Sequence, residues 1–224
     1  MDNLYKYISA EWLKEDLLGD KEQLYFASRK ELNDPFELVG EIKVVSSSIW
    51  HVAAKDVQNF LNKLSEGVKD KIGVFCCSAV CDDITMWGYY ADGHKGCCLE
   101  LDPTADPDFF HGIKAVSYNN VRPSAAYDPS KPVGVPINDF LFHKASCWVH
   151  EKEYRIVRLT RHGLFDIKPE AIKTIIFGCM MDESTRLDII NKLNSKKCFE
   201  HVKLKKAVVD NRYFKLNLID IDRI

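Results

Sequence analysis

Apolar and polar positions alternate from the start of the chain. Leu4-Tyr5-Lys6-Tyr7-Ile8 has the period of two of a short strand. Ser9 follows as an N-cap, and the run through Leu17 and Leu18 to Gly19 predicts a helix with a glycine stop. Gln23-Leu24-Tyr25-Phe26-Ala27 predicts a second strand. Asn33-Asp34-Pro35-Phe36-Glu37 predicts a turn, because the residue before a proline is driven out of the helical region. Val52, Val57, Phe60, Leu61, Leu64 and Val68 recur at helical spacing and predict an amphipathic helix ending near Asp70.

Two further strands are predicted over Ile72 to Ala79 and Gly96 to Leu101, with the aromatic stretch Met86 to Gly93 between them as a short helix. Pro123 to Pro136 is the one breaker-rich stretch and reads as a loop lying over a site. A helix over Asp139 to Cys147 leads into a strand over Glu151 to Leu159. Then come a strand at Ile172 to Phe177, a helix from Glu183 to Leu193 capped by Asp182, and two closing strands through Val208 and Leu218. With no repeat and no linker, the expectation is one α+β domain over residues 1–224.

Composition narrows the function classes. The net charge of -2, from 31 basic and 33 acidic residues, supplies no global field toward nucleic acid or an anionic membrane. Lys203, Lys205, Lys206, Arg212 and Lys215 form a local basic stretch, which on strands reads as a solvated face. No apolar run approaches the roughly 20 residues of a membrane span, and Met1-Asp2-Asn3-Leu4 lacks the features of a secretory signal, so a cytoplasmic protein without membrane contact is expected. The eight cysteines then read as reduced thiols, with Cys76, Cys77, Cys97, Cys98, Cys147 and Cys179 placed as in a core. Cys77, Cys81 and the adjacent Cys97-Cys98 match zinc spacing poorly, so no metal is expected.

The strand after Trp148 gathers the ionisable groups. Period-two alternation puts Glu151, Glu153 and Arg155 on one face, and by pattern alone they read as a salt-bridged surface ladder. A restriction-type nuclease wants an acid two residues before a lysine, whereas this strand reads Glu-Lys-Glu. Two acids on one strand face also cannot flank a sugar as glycoside hydrolysis requires. Asn33, Asp34 and Glu37 form a second polar cluster, either at a pocket rim or bonding their own turn, with Phe36 as anchor. His94, His143 and His150 lack the partner pattern of a nucleophilic site.

Longer segments carry a resemblance. Leu4-Tyr5-Lys6-Tyr7, Leu24 to Ser28 with Glu31 to Glu37, Met86 to Asp92 with His94-Lys95-Gly96, and Lys144 with Trp148, Glu151, Glu153, Tyr154 and Arg155 together resemble an uncharacterised bacterial family, number 2971 among the domains of unknown function. The order of the segments matches, and they cover nearly the whole chain. More distantly, the layout resembles ADP-ribosyltransferases, and Glu151-Lys152-Glu153 followed by Ile167 to Ile172 is similar to the tail of DNA-modifying toxins of the DarT type.

That resemblance implies an ADP-ribosyltransferase-like fold with a split mixed or antiparallel sheet and flanking helices. It implies NAD as a substrate, a nucleic-acid or protein acceptor, a restraining partner of the antitoxin kind, and a role as a toxin or in phage defence. Glu153 takes the place of the catalytic acid, with Glu151 beside it for the acceptor's proton. Lys6, Tyr7, Ser28, Asn33, Asp34, Glu37, Trp87, Tyr90 and Arg155 fall where NAD would be held, and Tyr89 joins Trp87 and Tyr90 as a stacking surface. Lys6 departs from the pattern, which has His or Arg there; it offers a point charge and no planar fork. The rival expectation is a non-catalytic nucleotide- or partner-binding module of the same fold.

Overall fold

The computed structural model describes residues 3–37, 41–44, 71–127 and 138–223. The predicted Val52 to Val68 helix and residues 128–136 of the Pro-rich stretch lie outside them. In chain order the strands are β1 (Leu4–Ile8), β2 (Gln23–Phe26), β3 (Glu41–Val44), β4 (Gly73–Ser78), β5 (Cys97–Leu101), β6 (Lys114–Ala115), β7 (Ser117–Tyr118), β8 (Ser124–Tyr127), β9 (His143–Lys144), β10 (Glu153–Arg158), β11 (Gly163–Asp166), β12 (Ile172–Phe177), β13 (Lys203–Val209) and β14 (Leu216–Asp220).

Eight of them form one mixed sheet in the spatial order β14, β13, β12, β5, β1, β4, β10, β6. β12 and β13 are parallel, and the connection they require runs through the helix Glu183–Asn194. Every other neighbouring pair in this sheet is antiparallel. The architecture is therefore α+β, a large mixed sheet with few helices. Smaller pairs, β2 with β11, β3 with β8 and β7 with β9, lie beside it.

The central strands are apolar on both sides because both faces of the sheet are covered. One face carries Leu4, Ile8, Phe75, Leu99, Ile156 and Ile175 against Leu13, Leu17, Phe109, Ile189 and Leu193. Tyr7, Cys98, Ile176 and Ala207 belong to a second cluster with Met86 and Trp87 of the helix Ile84–Tyr90. Ile72, Val74 and Leu141 make a smaller third one. Asp83 and Asp182 start these two helices, Asp83 accepting from the Thr85 and Met86 amides and Asp182 from the Thr185 amide.

The sheet forks beside β1. Along β5, β1 makes a continuous ladder from Leu4 opposite Leu101 to Ile8 opposite Cys97, but it meets β4 through Tyr5 opposite Ser78. Further back, Val74 of β4 pairs with Ala27, just after β2, in a two-way backbone exchange at 2.9 and 2.8 Å. β2 thus takes the partner that β1 releases, and a cleft opens between them.

Several local expectations need correction. The Ser9-capped helix is a short turn, Ala10–Trp12, running into a π-helical turn at Leu13–Leu17, which aims Leu13 and Leu17 at the core. At Gly19 a Cβ would lie 2.0 Å from the Glu15 carbonyl oxygen, so glycine is required by close approach. The helix expected over Asp139 to Cys147 is broken into the helix Asn138–Leu141, strand β9 and the 3-10 turn Ser146–Glu151. Pairing of β9 with β7 overrides the local helical pattern, and the next strand begins at Glu153 rather than Glu151. Within the Pro-rich stretch, Ser124–Tyr127 is a strand. Cys147 is exposed, unlike Cys77, Cys97 and Cys98, which are buried; all eight thiols are free.

Candidate functional site

The cleft at the fork is a cavity of about 390 Å³. Its walls include the rings of Tyr5, Tyr7, Trp12, Tyr25, Tyr89 and Tyr90, and its polar end includes Glu37, Lys144, Glu151 and Glu153. Apolar walls with a few convergent polar groups are the usual form of a small-molecule site, and the volume falls in the range of roughly 300–1,000 Å³ such sites occupy.

Four segments build the polar end. β10 alternates, so Ile156 enters the main core while Glu153 and Arg155 face the other way. Glu151 arrives from the 3-10 turn, and Lys152 between the two glutamates is left-handed at φ 43° and ψ 51°. That residue, not an extended strand, brings both carboxylates to one lysine. It is a conformation an L side chain adopts at a cost and keeps only where its surroundings demand it. Ser78 supplies part of that demand by donating its hydroxyl to the Glu151 carbonyl at 2.6 Å. The Ala79 amide bonds the Lys152 carbonyl at 3.0 Å. β9 contributes Lys144, and the turn after Asn33 contributes Glu37.

The charged groups form one connected cluster. Lys144 Nζ bonds Glu151 Oε2, bonds Glu153 Oε2 at 3.1 Å and lies 3.3 Å from Glu37 Oε1. Arg155 donates to Glu153 through Nε at 2.6 Å and Nη2 at 2.9 Å, and to Glu37 through Nη1 at 2.7 Å and Nη2 at 2.6 Å. Its Nη1 also reaches the Leu141 carbonyl at 3.1 Å. Tyr90 donates its hydroxyl to Glu151 Oε1 at 2.6 Å, and the Glu153 amide donates to the Tyr118 hydroxyl at 2.8 Å. Glu151, Glu153 and Arg155 are 1%, 5% and 0% exposed, so the expected surface ladder is instead a buried network.

Three carboxylates face two cations, leaving one negative charge in excess at the cavity's end. Burial raises the cost of ionising Glu153, but Arg155 and then Lys144 outweigh it and hold this carboxyl at about 2. For Lys144 burial also acts against the charge, and Glu153, Glu151 and Glu37 together keep it protonated. At Glu151 burial dominates and moves the carboxyl up, against the pull of Lys144 and Tyr90. The two neighbouring carboxyls are thus pushed in opposite directions.

The residues expected at the site separate into three groups. Glu153, Glu151, Lys6, Tyr7, Asn33, Glu37 and Tyr90 all line the cavity. Lys6 comes from the main-core side of β1; its ammonium bonds the Cys76 carbonyl at 3.0 Å and lies over the Phe75 ring. Arg155 is buried behind the carboxylates and acts through them. Ser28, Asp34 and Trp87 do not line the cavity, a correction in each case. Ser28 is bound to Glu31 in a capping box. Asp34 is buried and accepts from the Phe36 amide at 2.9 Å, so it closes its own turn. Trp87 is fully buried, edge-on to Tyr7, with its indole N–H on the Cys81 carbonyl. Phe36, the expected anchor, is exposed under the Arg122 guanidinium. His94, His143 and His150 stand outside the cavity lining.

Reading by pattern passed over Tyr5, Trp12 and Tyr25 of the walls and Lys144 of the polar end. Lys144 is the most consequential of them. It carries no local signal, because its meeting with Glu151 and Glu153 depends on the β7–β9 pairing and on the left-handed turn. No group of metal-ligating side chains that could hold an ion occurs among the described residues, and no helix among them is long and apolar enough to cross a membrane. Comparison of the chain with known protein families, curated proteins and solved structures finds no match.

Proposed function

We propose that the cleft binds NAD as a substrate and transfers ADP-ribose from it to an acceptor, as in ADP-ribosyltransferases. The observation that carries this reading is an anionic pole, Glu151 and Glu153, at the end of an aromatic-walled cavity that also contains Lys6. An apolar slot with excess negative charge at its end favours a flat cationic ring such as nicotinamide. The resemblance of the quoted segments to family 2971 and, more distantly, to DarT-type toxins supports the same reading.

The chemistry assigns each group a task. The bond from nicotinamide to ribose breaks, the electron pair leaves with nicotinamide, and positive charge builds on the sugar. Glu153, ionised at neutral pH, stabilises that charge, with Arg155 and Lys144 fixing its position. Glu151 takes the proton from the attacking acceptor, a nucleic acid or a protein, while Lys144 and Tyr90 hold its carboxyl in place. Tyr90 and Tyr89 supply ring surface, the role once expected of Trp87.

The second reading is a nucleotide-binding regulatory module, favoured by the fact that both oxygens of Glu153 already accept hydrogen bonds. Incubation with labelled NAD and cell extract separates the two. The transferase reading expects label transfer and nicotinamide release, both lost in Glu153→Gln with the fold retained, and it expects toxicity on expression, lost in the same variant, as a toxin or phage-defence effector would show. NAD binding without turnover in any extract would favour the binding module.

A further inference from the structure

The tip of the β13–β14 hairpin presents side chains that the cleft does not use. Phe214 is 103% exposed, and Tyr213, Val209 and Met180 are each more than half exposed around it. They border a second groove, of about 530 Å³, which Ile84, at the start of the helix Ile84–Tyr90, and Leu216 also line. Met86, Tyr89 and Tyr90 of the same helix line the first cleft, so the two concavities flank one element.

The exposure is built into the turn. Asp210 accepts hydrogen bonds from the amides of Arg212 at 2.9 Å and Tyr213 at 2.8 Å, and its other oxygen accepts from the Asn217 side chain at 2.8 Å. The Lys215 amide closes on the Tyr213 carbonyl at 2.8 Å, and the Asp210 amide on the Lys215 carbonyl at 3.1 Å. These bonds fix the backbone and occupy the one acid of the tip, whose Oδ2 also lies 3.7 Å from Lys215 Nζ in an exposed ion pair that a phosphate can replace. Arg212 and Lys215 both lie against the Tyr213 ring, at 5.3 and 5.7 Å from its centroid. Phe214 has no such cover. A fully bare ring on a fixed turn, flanked in sequence by Arg212 and Lys215, has the two elements of a single-strand platform: a stacking surface and phosphate-binding charge.

We propose that this tip binds single-stranded nucleic acid, with a base stacked on Phe214 and phosphates on Arg212 and Lys215. Charge complementarity favours a polyanion, because the charged side chains beside the bare ring are two cations, Arg212 and Lys215, against one acid, Asp210, that is engaged with its own turn. The inference does not depend on the reaction proposed for the cleft.

The test uses the full chain and fluorescein-labelled poly-dT and poly-U strands of about 16 nucleotides, read by fluorescence anisotropy at about 50 mM salt. Binding of either strand supports the proposal, and the stronger one identifies DNA or RNA as the source. Phe214→Ala is expected to weaken binding about tenfold or more, and Phe214→Leu, which keeps apolar bulk without the ring, by a similar factor. Arg212→Gln with Lys215→Gln is expected to lower the slope of log affinity against log salt by about two. All these side chains are exposed, so thermal melting is expected to be unchanged. Absence of binding by the parent chain, undiminished binding by Phe214→Ala, or self-association that Phe214→Ala abolishes would overturn the proposal, the last by showing a second copy as the occupant.

Discussion

Glu153 and Asp102 are both held at about 2, by different means. Glu153 is buried, and Arg155 and Lys144 overcome the cost of that burial. Asp102 sits at the surface end of β5, where the Thr104 hydroxyl lowers it first and Lys173, at 3.0 Å, adds to that. Equal acidity does not mean equal dependence on partners. Water can replace what Asp102 loses, whereas nothing replaces what Glu153 loses. A buried ion cluster is therefore weak evidence for net stability but strong evidence that each member needs the others.

The sharpest way to break the comparison is to remove the central cation. In Arg155→Ala, Glu37 and Glu153 both lose their bidentate partner and keep Lys144 as the one cation beside them among the described residues. The expected loss is roughly 3–5 kcal/mol in denaturant unfolding, the scale for an uncompensated buried charge. A loss under about 1 kcal/mol, the scale of an exposed pair, would show that the cluster is as wet as Asp102.

Acid sharpens the same contrast. Glu153 has a folded value of about 2 against an ordinary 4.5, so its folded state binds the proton less readily than the unfolded chain. Its contribution is complete above about 4.5 and fades as the pH falls toward 2. Glu151, moved up by burial, works with the opposite sign and offsets part of that loss. The stability difference between the parent and Glu153→Gln is expected to shrink steadily over this window when unfolding is followed from pH 5 downward. A difference that stays constant would mean that the carboxylate charge is not what the arginine and lysine stabilise.

Much of this arrangement was legible before the structure, and the failures share a cause. The alternation in β1, the apolar run of β12 and the Asp182-capped helix are local signals, and each element stands where its pattern placed it. The common face of Glu153 and Arg155 was readable for the same reason. Glu151 reaches that face by a left-handed Lys152, and Lys144 by pairing of β9 with a distant strand. Neither leaves a periodic trace. Trp87 misled because an aromatic residue that fits a stacking role and one that fills a core look alike in sequence, and only burial separates them. The fork between β1 and β4 was beyond reading, since it depends on Ala27 taking the place of β1 beside Val74.

The smallest effect tests the other half of the comparison. Lys173 is 46% exposed at its side chain, and its ion pair with Asp102 costs little to give up because solvent screens both groups. Asp102 also keeps the Thr104 amide at 3.0 Å and the Thr104 hydroxyl at 2.6 Å, which hold the turn after β5 without the lysine. Lys173→Ala is therefore expected to change unfolding free energy by about 0–1 kcal/mol, with the difference shrinking further as salt is raised. A loss comparable to Arg155→Ala, or one insensitive to salt, would show that the pair is sheltered from water and that burial is not what separates the two carboxyls.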